Sequence, residues 1–432
     1  MILMMRTNFV GELNSTMDGK EVTLAGWVHE VRELGKLTFL LLRDSTGIAQ
    51  VIAKRGETDE ALIKRMSLPK ESVIVVRGTV RASKEARAGF EIVPNSIENV
   101  NPLSAGIPFE VTGKVPAELD VRLNNRHIDL RRIPTASVFR IESTILSAFR
   151  DTFIGKGFTE IRTPSIVAEA TEGGTDLFPV QYFESKAYLA QSPQLYKQLA
   201  IIGGLDHVFI VTPVFRAEKS NDVYHLNEST QMDIEVSFAD HNDVIALLGE
   251  TAVNMVKSVI AKNKKELDNL GVKLQVPKPI TITYTDAVDR LSSSGHTIKP
   301  GEDFTREHER AIGELFGEAV IVKEYPTALR AFYSRPNDDN PELSNSFDLI
   351  YKGMEVCSGA QRIHTPEMLI AAIKRKGLDP KGFEFYINAF RCGAPPHAGW
   401  SIGLERMAMQ ITGSQNIREA SMFPRDRKRL TP

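Results

Sequence analysis

The chain has 432 residues, 42% hydrophobic and 25% charged, with a formal net charge of −2. That length holds two or three domains with at least one large core, and the near-zero charge excludes a globally basic protein, so a nucleic acid must be met by local basic patches. Two cysteines, Cys357 and Cys392, exclude a disulfide framework or a four-cysteine zinc site and point to a reducing, cytoplasmic setting; apolar runs short of about 20 residues predict no membrane span, and Met1 to Met5 is too short for a signal peptide.

The first hundred residues read as strands over 21–31, 37–43, 50–53, 73–80 and 90–93, the last ended by Pro94, with a helix over 60–66. Asp18-Gly19, Leu34-Gly35 and Thr46-Gly47 supply turns between them. Five short strands and one helix fit a small barrel of the OB type over 1–104, although another small antiparallel barrel or sandwich has the same pattern. Pro108 and Pro116 then punctuate a hinge over 105–135, which carries a basic string with Arg122, Arg126, Arg131 and Arg132.

From 136 onward, apolar residues at helical spacing (Val138, Ile141, Ile145, Phe149, Phe153) predict a helix to 156, closed by Gly157. A short strand over 158–161 ends at Thr163-Pro164. Residues 208–215 read as a buried strand, and 231–238 alternate, with Met232, Ile234, Val236 and Phe238 on one face and Asp233, Glu235 and Ser237 on the other. A strand pair over 347–356 breaks at Lys352-Gly353, and helices are expected over 242–263, 305–317 and 366–376, with a helical insertion at about 240–340. Strands and helices do not alternate regularly, so the fold class is α+β, with a mixed or antiparallel sheet flanked by helices rather than a doubly wound parallel one.

Five strings carry chemistry. Arg216 and Glu218 follow the 208–215 strand and open a polar hairpin loop containing Tyr224, His225 and Leu226. Gly403-Leu404-Glu405-Arg406 marks a glycine junction between a strand and a helix, where backbone can approach a ligand and a helix N-terminus favours anions. Gln194, Lys197 and Gln198 share one face of a helix that starts at Ser192-Pro193. Glu172 lies in a glycine-rich acidic loop, and Glu355, Ser358 and Arg362 cluster at a strand end. A carboxylate and a hydroxyl suit Mg²⁺ held largely by substrate phosphates, and arginine grips phosphate or carboxylate with two parallel hydrogen bonds. Each string alone also fits an ordinary solvated surface, Arg216 and Glu218 in particular as a salt bridge along one strand.

Taken together and in this order, the five strings resemble a class II aminoacyl-tRNA synthetase of the archaeal aspartyl type, from the barrel to the closing Arg429-Leu430-Thr431-Pro432. The helix and strand ending at Pro164 are similar to that family's first motif, which forms a dimer interface; the Arg216 hairpin is similar to the second and Gly403 to Arg406 to the third. Ser401 stands where the family usually has glycine, which narrows the backbone's approach to ATP. The resemblance implies ATP-dependent activation of L-aspartate to aspartyl-adenylate, then transfer to the 3′ end of tRNA(Asp), by a homodimer using Mg²⁺. It implies Arg216 on the α-phosphate and the aspartate carboxylate, Glu218 at the adenine, and Tyr224, His225 and Leu226 beside the phosphates. Gly403, Leu404, Glu405 and Arg406 would complete the ATP site, with Arg406 at the γ-phosphate. Glu355 and Ser358 would ligate Mg²⁺, Ser358 also bordering the aspartate site, Glu172 would meet the substrate ammonium, and Gln194, Lys197 and Arg362 would hold the rest of the amino acid. In the barrel, Phe39 would stack on an anticodon base and Gln50 and Glu91 would contact bases. His29 goes in the family with relaxed reading of the third anticodon base, and hence with charging of tRNA(Asn) as well, the product then being converted by an amidotransferase. Asparaginyl-tRNA synthetases share most of these motifs, and a non-catalytic tRNA-binding paralogue is the alternative of another kind.

Overall fold

The computed structural model describes residues 5–168, 176–219 and 222–432. The chain divides into two compact units, Met1–Ile133 and Pro134–Pro432.

In the first unit, strands β1 (Glu21–Leu34), β2 (Leu37–Arg43), β3 (Ile48–Lys54), β4 (Val73–Ala82) and β5 (Phe90–Asn101) close into a barrel in the order β1-β2-β3-β5-β4. Period-two patterning sorts each strand: in β2, Thr38, Leu40 and Leu42 point into the barrel, while Phe39 and Leu41 lie on the outer face. The helix Glu60–Met66 is where the sequence places it, with the Asp59 side chain accepting from the Ala61 N–H and Ile63 and Met66 buried. Pro94 does not end β5, contrary to expectation. It sits opposite Gly78 beside a register shift at Arg77, where the missing Cβ of Gly78 leaves room for the Val93 carbonyl; proline is tolerated at such irregularities. The stretch read as a hinge contains two short helices, Leu119–Asn124 and Arg126–Asp129. Its basic string is not simply a solvated face: Arg122 and Arg126 reach the buried Asp129 at 2.9 and 2.7 Å.

The strands of the second unit are, in chain order, β6 (Thr159–Glu160), β7 (Ile166–Val167), β8 (Pro179–Tyr182), β9 (Ser185–Leu189), β10 (His207–Phe215), β11 (Glu228–Ser237), β12 (Ile280–Thr283), β13 (Ala319–Lys323), β14 (Ser346–Tyr351), β15 (Met354–Gln361) and β16 (His397–Gly403). Eight form one sheet in the order β12-β13-β14-β15-β16-β11-β10-β6, antiparallel from β13 to β10 with a parallel pair at each edge. β7, β9 and β8 make a small separate sheet. The predicted break at Lys352-Gly353 is the β14–β15 turn, with φ of 49° and 74°; both central residues are left-handed, as tight hairpins require.

One face of the large sheet is buried under the helices Ile133–Gly155, His241–Lys262 and Leu404–Thr412. Phe149 and Phe153 meet Trp400 edge-on, with ring centroids 6.2 and 5.7 Å apart, and Trp400 Nε1 donates to Val244 O at 3.0 Å. The helix His241–Lys262 is, by length and composition, apolar enough to cross a membrane, which the sequence reading had not found. Val244, Leu248, Met255 and Val259, on one side of it, pack into this core. Met232, Ile234 and Val236 point the same way, but Phe238 does not: β11 stops at Ser237, and Phe238 takes a φ of 52° and is 77% exposed. The segment at about 240–340 is not wholly helical, because β12 and β13 extend the main sheet.

Candidate active site

The polar residues of β11, β15 and β16 face the other way and floor a cleft of about 320 Å³. At one side, the β10–β11 ladder continues one step past the strand: the Arg216 N–H donates to Asn227 O at 2.9 Å and Asn227 Nδ2 to Arg216 O at 2.7 Å. This fixes the Arg216 backbone while its side chain stays exposed and lines the cleft. No ion pair to Arg216 occurs among the described residues, so the salt bridge with Glu218 does not form. Glu218 instead lies 3.9 Å from His225 Nε2, and His225 Nδ1 is held by Asp222 at 2.8 Å. Arg306 covers the Tyr224 ring at 5.1 Å. Leu226 touches the cleft but is buried in the core.

Across the cleft, β16 runs into the helix Leu404–Thr412 through Gly403. The Leu404 side chain is core, so only its backbone is on offer to a ligand. Both Glu405 oxygens accept from the Thr230 N–H at 3.0 Å, tying the helix start to β11, and burial pushes that carboxyl up to about 7. Arg406 lines the cleft and anchors on β15: Nη1 donates to Glu355 O at 3.2 Å and lies 4.0 Å from Glu355 Oε1.

Glu355 and Ser358 are three apart, a spacing that puts side chains on opposite faces of a regular strand. Here Ile350 pairs with Glu355 but Leu349 pairs with Cys357, so Val356 is an extra residue in β15. The bulge resets the alternation, and both Glu355 and Ser358 line the cleft. Burial and the neighbouring Asp348 carboxylate raise the Glu355 carboxyl to about 7, with Arg406 opposing. A buried carboxylate held at a cost in its charged form, with a hydroxyl beside it, fits a hard divalent cation. Among the described residues no cluster of three or more His, Cys, Asp or Glu could hold a metal unaided, so such a cation would complete its shell from substrate or water.

The third wall is a buried charge network. Lys197 is wholly buried and does not line the cleft; its Nζ donates to Asp233 Oδ1 at 2.7 Å and Trp400 O at 3.3 Å and lies 3.3 Å from Glu235 Oε2. The resemblance gives Lys197 a place against the amino acid; in this structure its ammonium is engaged by Asp233, which lines the cleft. Arg362 does line the cleft, with Nε on Glu235 Oε1 at 2.9 Å and Nη2 on Gly399 O at 2.9 Å. Burial alone would raise the Glu235 carboxyl, but Arg362 and Lys197 outweigh it and hold the carboxyl below its usual range. Gln194 reaches the cleft with its Nε2 on Gln198 Oε1 at 2.9 Å, as the shared helix face predicts. Ser401 Oγ donates to Asp233 Oδ2 at 2.9 Å. Sequence reasoning missed Tyr333, whose ring lies 5.3 Å from the Arg362 guanidinium, and the Arg330–Asp348 pair at 2.6 Å; Arg330 and Tyr333 come from a stretch without periodic pattern. Glu172 lies outside the described residues.

On the barrel, Phe39 is on the outer face and absent from the core, so packing does not account for it. Gln50 shares that face and donates to Glu91 Oε2 at 3.2 Å, while Arg81 holds the other Glu91 oxygen. His29 sits at a bulge in β1, between Val28 and Glu30. Arg43 Nη1 is 3.0 Å from His29 Nδ1; a guanidinium only donates, so Nδ1 accepts and Nε2 carries the hydrogen. Burial, then Arg43, lowers the His29 pKa and keeps the ring neutral.

Residues 118–427 match the family described as tRNA synthetases class II (D, K and N), and residues 22–100 match the OB-fold nucleic acid binding domain. Curated relatives named Aspartate--tRNA(Asp/Asn) ligase include those of Methanocaldococcus jannaschii, 45% identical over 99% of this chain and 98% of the relative, and of Archaeoglobus fulgidus, 46% identical over 98% and 99%. Among solved structures, asparaginyl-tRNA synthetase from Pyrococcus horikoshii complexed with asparaginyl-adenylate is similar with a TM-score of 0.94 at 33% identity, covering 99% of this chain and 100% of that one. Aspartyl tRNA synthetase from Entamoeba histolytica follows at 0.89 and 33%, covering 98% and 92%. Fold likeness thus reaches synthetases for either amino acid, while both the catalytic unit and the barrel find their counterparts in one family: the chain belongs to the class II tRNA synthetases of the D, K and N group.

Proposed function

We propose that this chain is an aspartate–tRNA ligase that activates L-aspartate with ATP and charges tRNA(Asp) and tRNA(Asn). The observation that carries the choice of aspartate is Arg362, a donor-only side chain at the cleft surface, aimed by Glu235 and Gly399 O. A carboxylate satisfies those donors; an asparagine amide turns its own NH₂ toward them and leaves buried groups unpaired, a mismatch that such sites reject by roughly 10⁴-fold or more. The relatives named Aspartate--tRNA(Asp/Asn) ligase support the same choice.

In this proposal the α-carboxylate of aspartate attacks the α-phosphorus of ATP in line and pyrophosphate leaves; the 3′-hydroxyl of the tRNA's terminal adenosine then takes the aspartyl group from the adenylate, and AMP leaves. No protein nucleophile is required, so the chain's residues orient and neutralise charge. Arg216 bridges the α-phosphate and the aspartate carboxylate, Glu218 seats the adenine, Tyr224, His225 and Leu226 border the phosphates, and Arg406 holds the γ-phosphate beside the Gly403 to Glu405 backbone. Glu172 and Gln194 meet the amino-acid ammonium and polar groups, and Lys197 acts through Asp233 and Glu235. Glu355 and Ser358 would hold Mg²⁺, which supplies neutralisation of phosphate charge. The barrel, assigned to 1–104, binds the anticodon through Phe39, Gln50, Glu91 and His29, and 105–135 joins it to the catalytic portion, 136–432. Two copies associate through the first motif. The decisive test is amino-acid-dependent pyrophosphate exchange with aspartate and with asparagine, followed by aspartylation of both purified tRNAs; exchange that asparagine alone supports would overturn the assignment.

A further inference from the structure

A second buried charge cluster lies in the barrel unit. Arg43 and Glu71 are 3% and 5% exposed, and one oxygen of Glu71, Oε2, takes Arg43 Nη2 at 2.7 Å and Arg131 Nη1 at 3.0 Å. Arg131 also lies over the Trp27 ring, 5.1 Å from its centroid. Glu71 holds this place with a φ of 68°, a left-handed conformation that is uncommon outside glycine and persists only where its surroundings impose it. The backbone helps to impose it: the Glu71 N–H donates to Val28 O at 2.7 Å, and the Val28 N–H donates to Ser72 O at 2.9 Å. Val28 is the residue before the bulge in β1, where Val28 pairs with Leu42 and Glu30 with Leu41, so that His29 is the extra residue. Glu71 therefore reaches His29 by two routes, through the Val28 backbone and through Arg43, whose Nη1 is 3.0 Å from His29 Nδ1.

We propose that Glu71 is a positioning residue for tRNA binding: by anchoring Arg43 it fixes the His29 ring with Nδ1 as acceptor and the Nε2 hydrogen as the donor offered to the third anticodon base. A guanidinium has no acceptor, so a ring nitrogen facing it can only present a lone pair. The carboxylate that grips the same guanidinium keeps it from turning away. An unstacked base is read by hydrogen bonds at its edges, and a donor of fixed position and tautomer loses less freedom on binding than a loose ring. Cytosine and uracil, which distinguish the anticodons of the two tRNAs at that base, both carry carbonyl acceptors, so one fixed donor serves both. Without Glu71, Arg43 is a buried cation short of its counter-charge and must shift to find another acceptor, which releases the ring to its other tautomer. The inference rests on the reading in which His29 meets the anticodon, and adds the residue that sets where its hydrogen lies.

The test is aspartylation of tRNA(Asp) and tRNA(Asn) transcripts by the full-length enzyme and its Glu71→Gln, His29→Ala and doubly substituted variants. Glu71→Gln should raise KM for both tRNAs about tenfold, the equivalent of one lost hydrogen bond, with kcat and aspartate-dependent pyrophosphate exchange within about twofold of the parent. In the His29→Ala background the same substitution should change KM for tRNA by less than about twofold, because its effect passes through the ring. Arg43→Met removes the donor to Nδ1 while Glu71 keeps Arg131, and should give the same rise in KM; it carries the test if Glu71→Gln fails to fold, and an unchanged KM in it overturns the inference. Losses that multiply in the double variant also overturn it, as does an equal loss in pyrophosphate exchange, which marks a general disturbance of folding. A His29→Ala enzyme that aspartylates both tRNAs as the parent does refutes the placing of His29 at the anticodon instead, and the two failures are thereby distinct.

Discussion

At the scale of single residues, Arg362 and Glu405 make opposite demands on the protein. Arg362 is a buried cation whose partner Glu235 is also shared with Lys197. Replacing it by leucine removes the donors aimed at the amino acid but leaves Glu235 a second cation, so the variant should fold with reduced stability. Its kcat/KM for aspartate in pyrophosphate exchange should fall at least 100-fold, about 2.7 kcal/mol of transition-state binding, while KM for ATP stays within threefold; near-normal aspartate-dependent exchange refutes the role. Glu405 has its carboxyl raised to about 7 from an ordinary value of 4.5. The folded state then holds the proton more tightly than the unfolded one. The stabilisation is complete below pH 4.5 and is lost as pH rises through 7. Between pH 5.5 and 8.5 this one group should cost about 2 kcal/mol, and Glu405→Gln, which still accepts from Thr230, should remove that part of the pH dependence in urea unfolding. A variant with the parent's full pH dependence would show that the group titrates normally.

Elements decide which residues meet. Gly399 in β16 is a case where a strand has no room for a side chain: a Cβ there overlaps Ile234 O and the Glu235 carboxylate. Gly399→Ala must push Glu235 aside and with it Arg362, so aspartate activation should drop by more than tenfold and the melting temperature should fall, in keeping with a cost of about 1–3 kcal/mol for overpacking; a fully active, equally stable variant contradicts the geometry. Register also explains what was legible beforehand. The helices near 242–263, 305–317 and 366–376, the β14–β15 turn and the alternation of Met232 with Asp233 all follow from periodicity and turn chemistry, and so does the placing of Arg216 just past a strand end and of Arg406 in the first turn of a helix. The Val356 bulge was not legible, because a one-residue slip in pairing leaves no mark on composition, yet it alone puts Glu355 and Ser358 on one face. The depth of Lys197 was not legible for a related reason: helical spacing assigns it the face of Gln194, but how deep that face sits depends on β11 and β16, 36 and 203 positions away. Phe238 was misread because alternation continues in the sequence past the point where the backbone turns.

At the scale of the whole molecule, the proposed function gives the barrel and the sheet separable tasks. On that proposal, pyrophosphate exchange needs only the cleft, whereas aspartylation needs the tRNA held as well. Phe39→Ala on the outer face of β2 should therefore lower kcat/KM for aspartylation by roughly 5- to 100-fold, the range expected for one lost base stack, and leave exchange unchanged. Equal losses in both reactions would mean that the barrel face supports folding rather than tRNA binding. Which amino acid the cleft activates is the central question for this molecule, since solved structures of similar fold include synthetases for aspartate and for asparagine. Pyrophosphate exchange by the purified full-length protein, with aspartate and asparagine assayed side by side, addresses this directly: saturable exchange with aspartate and background exchange with asparagine is the predicted result, and faster exchange with asparagine would contradict it.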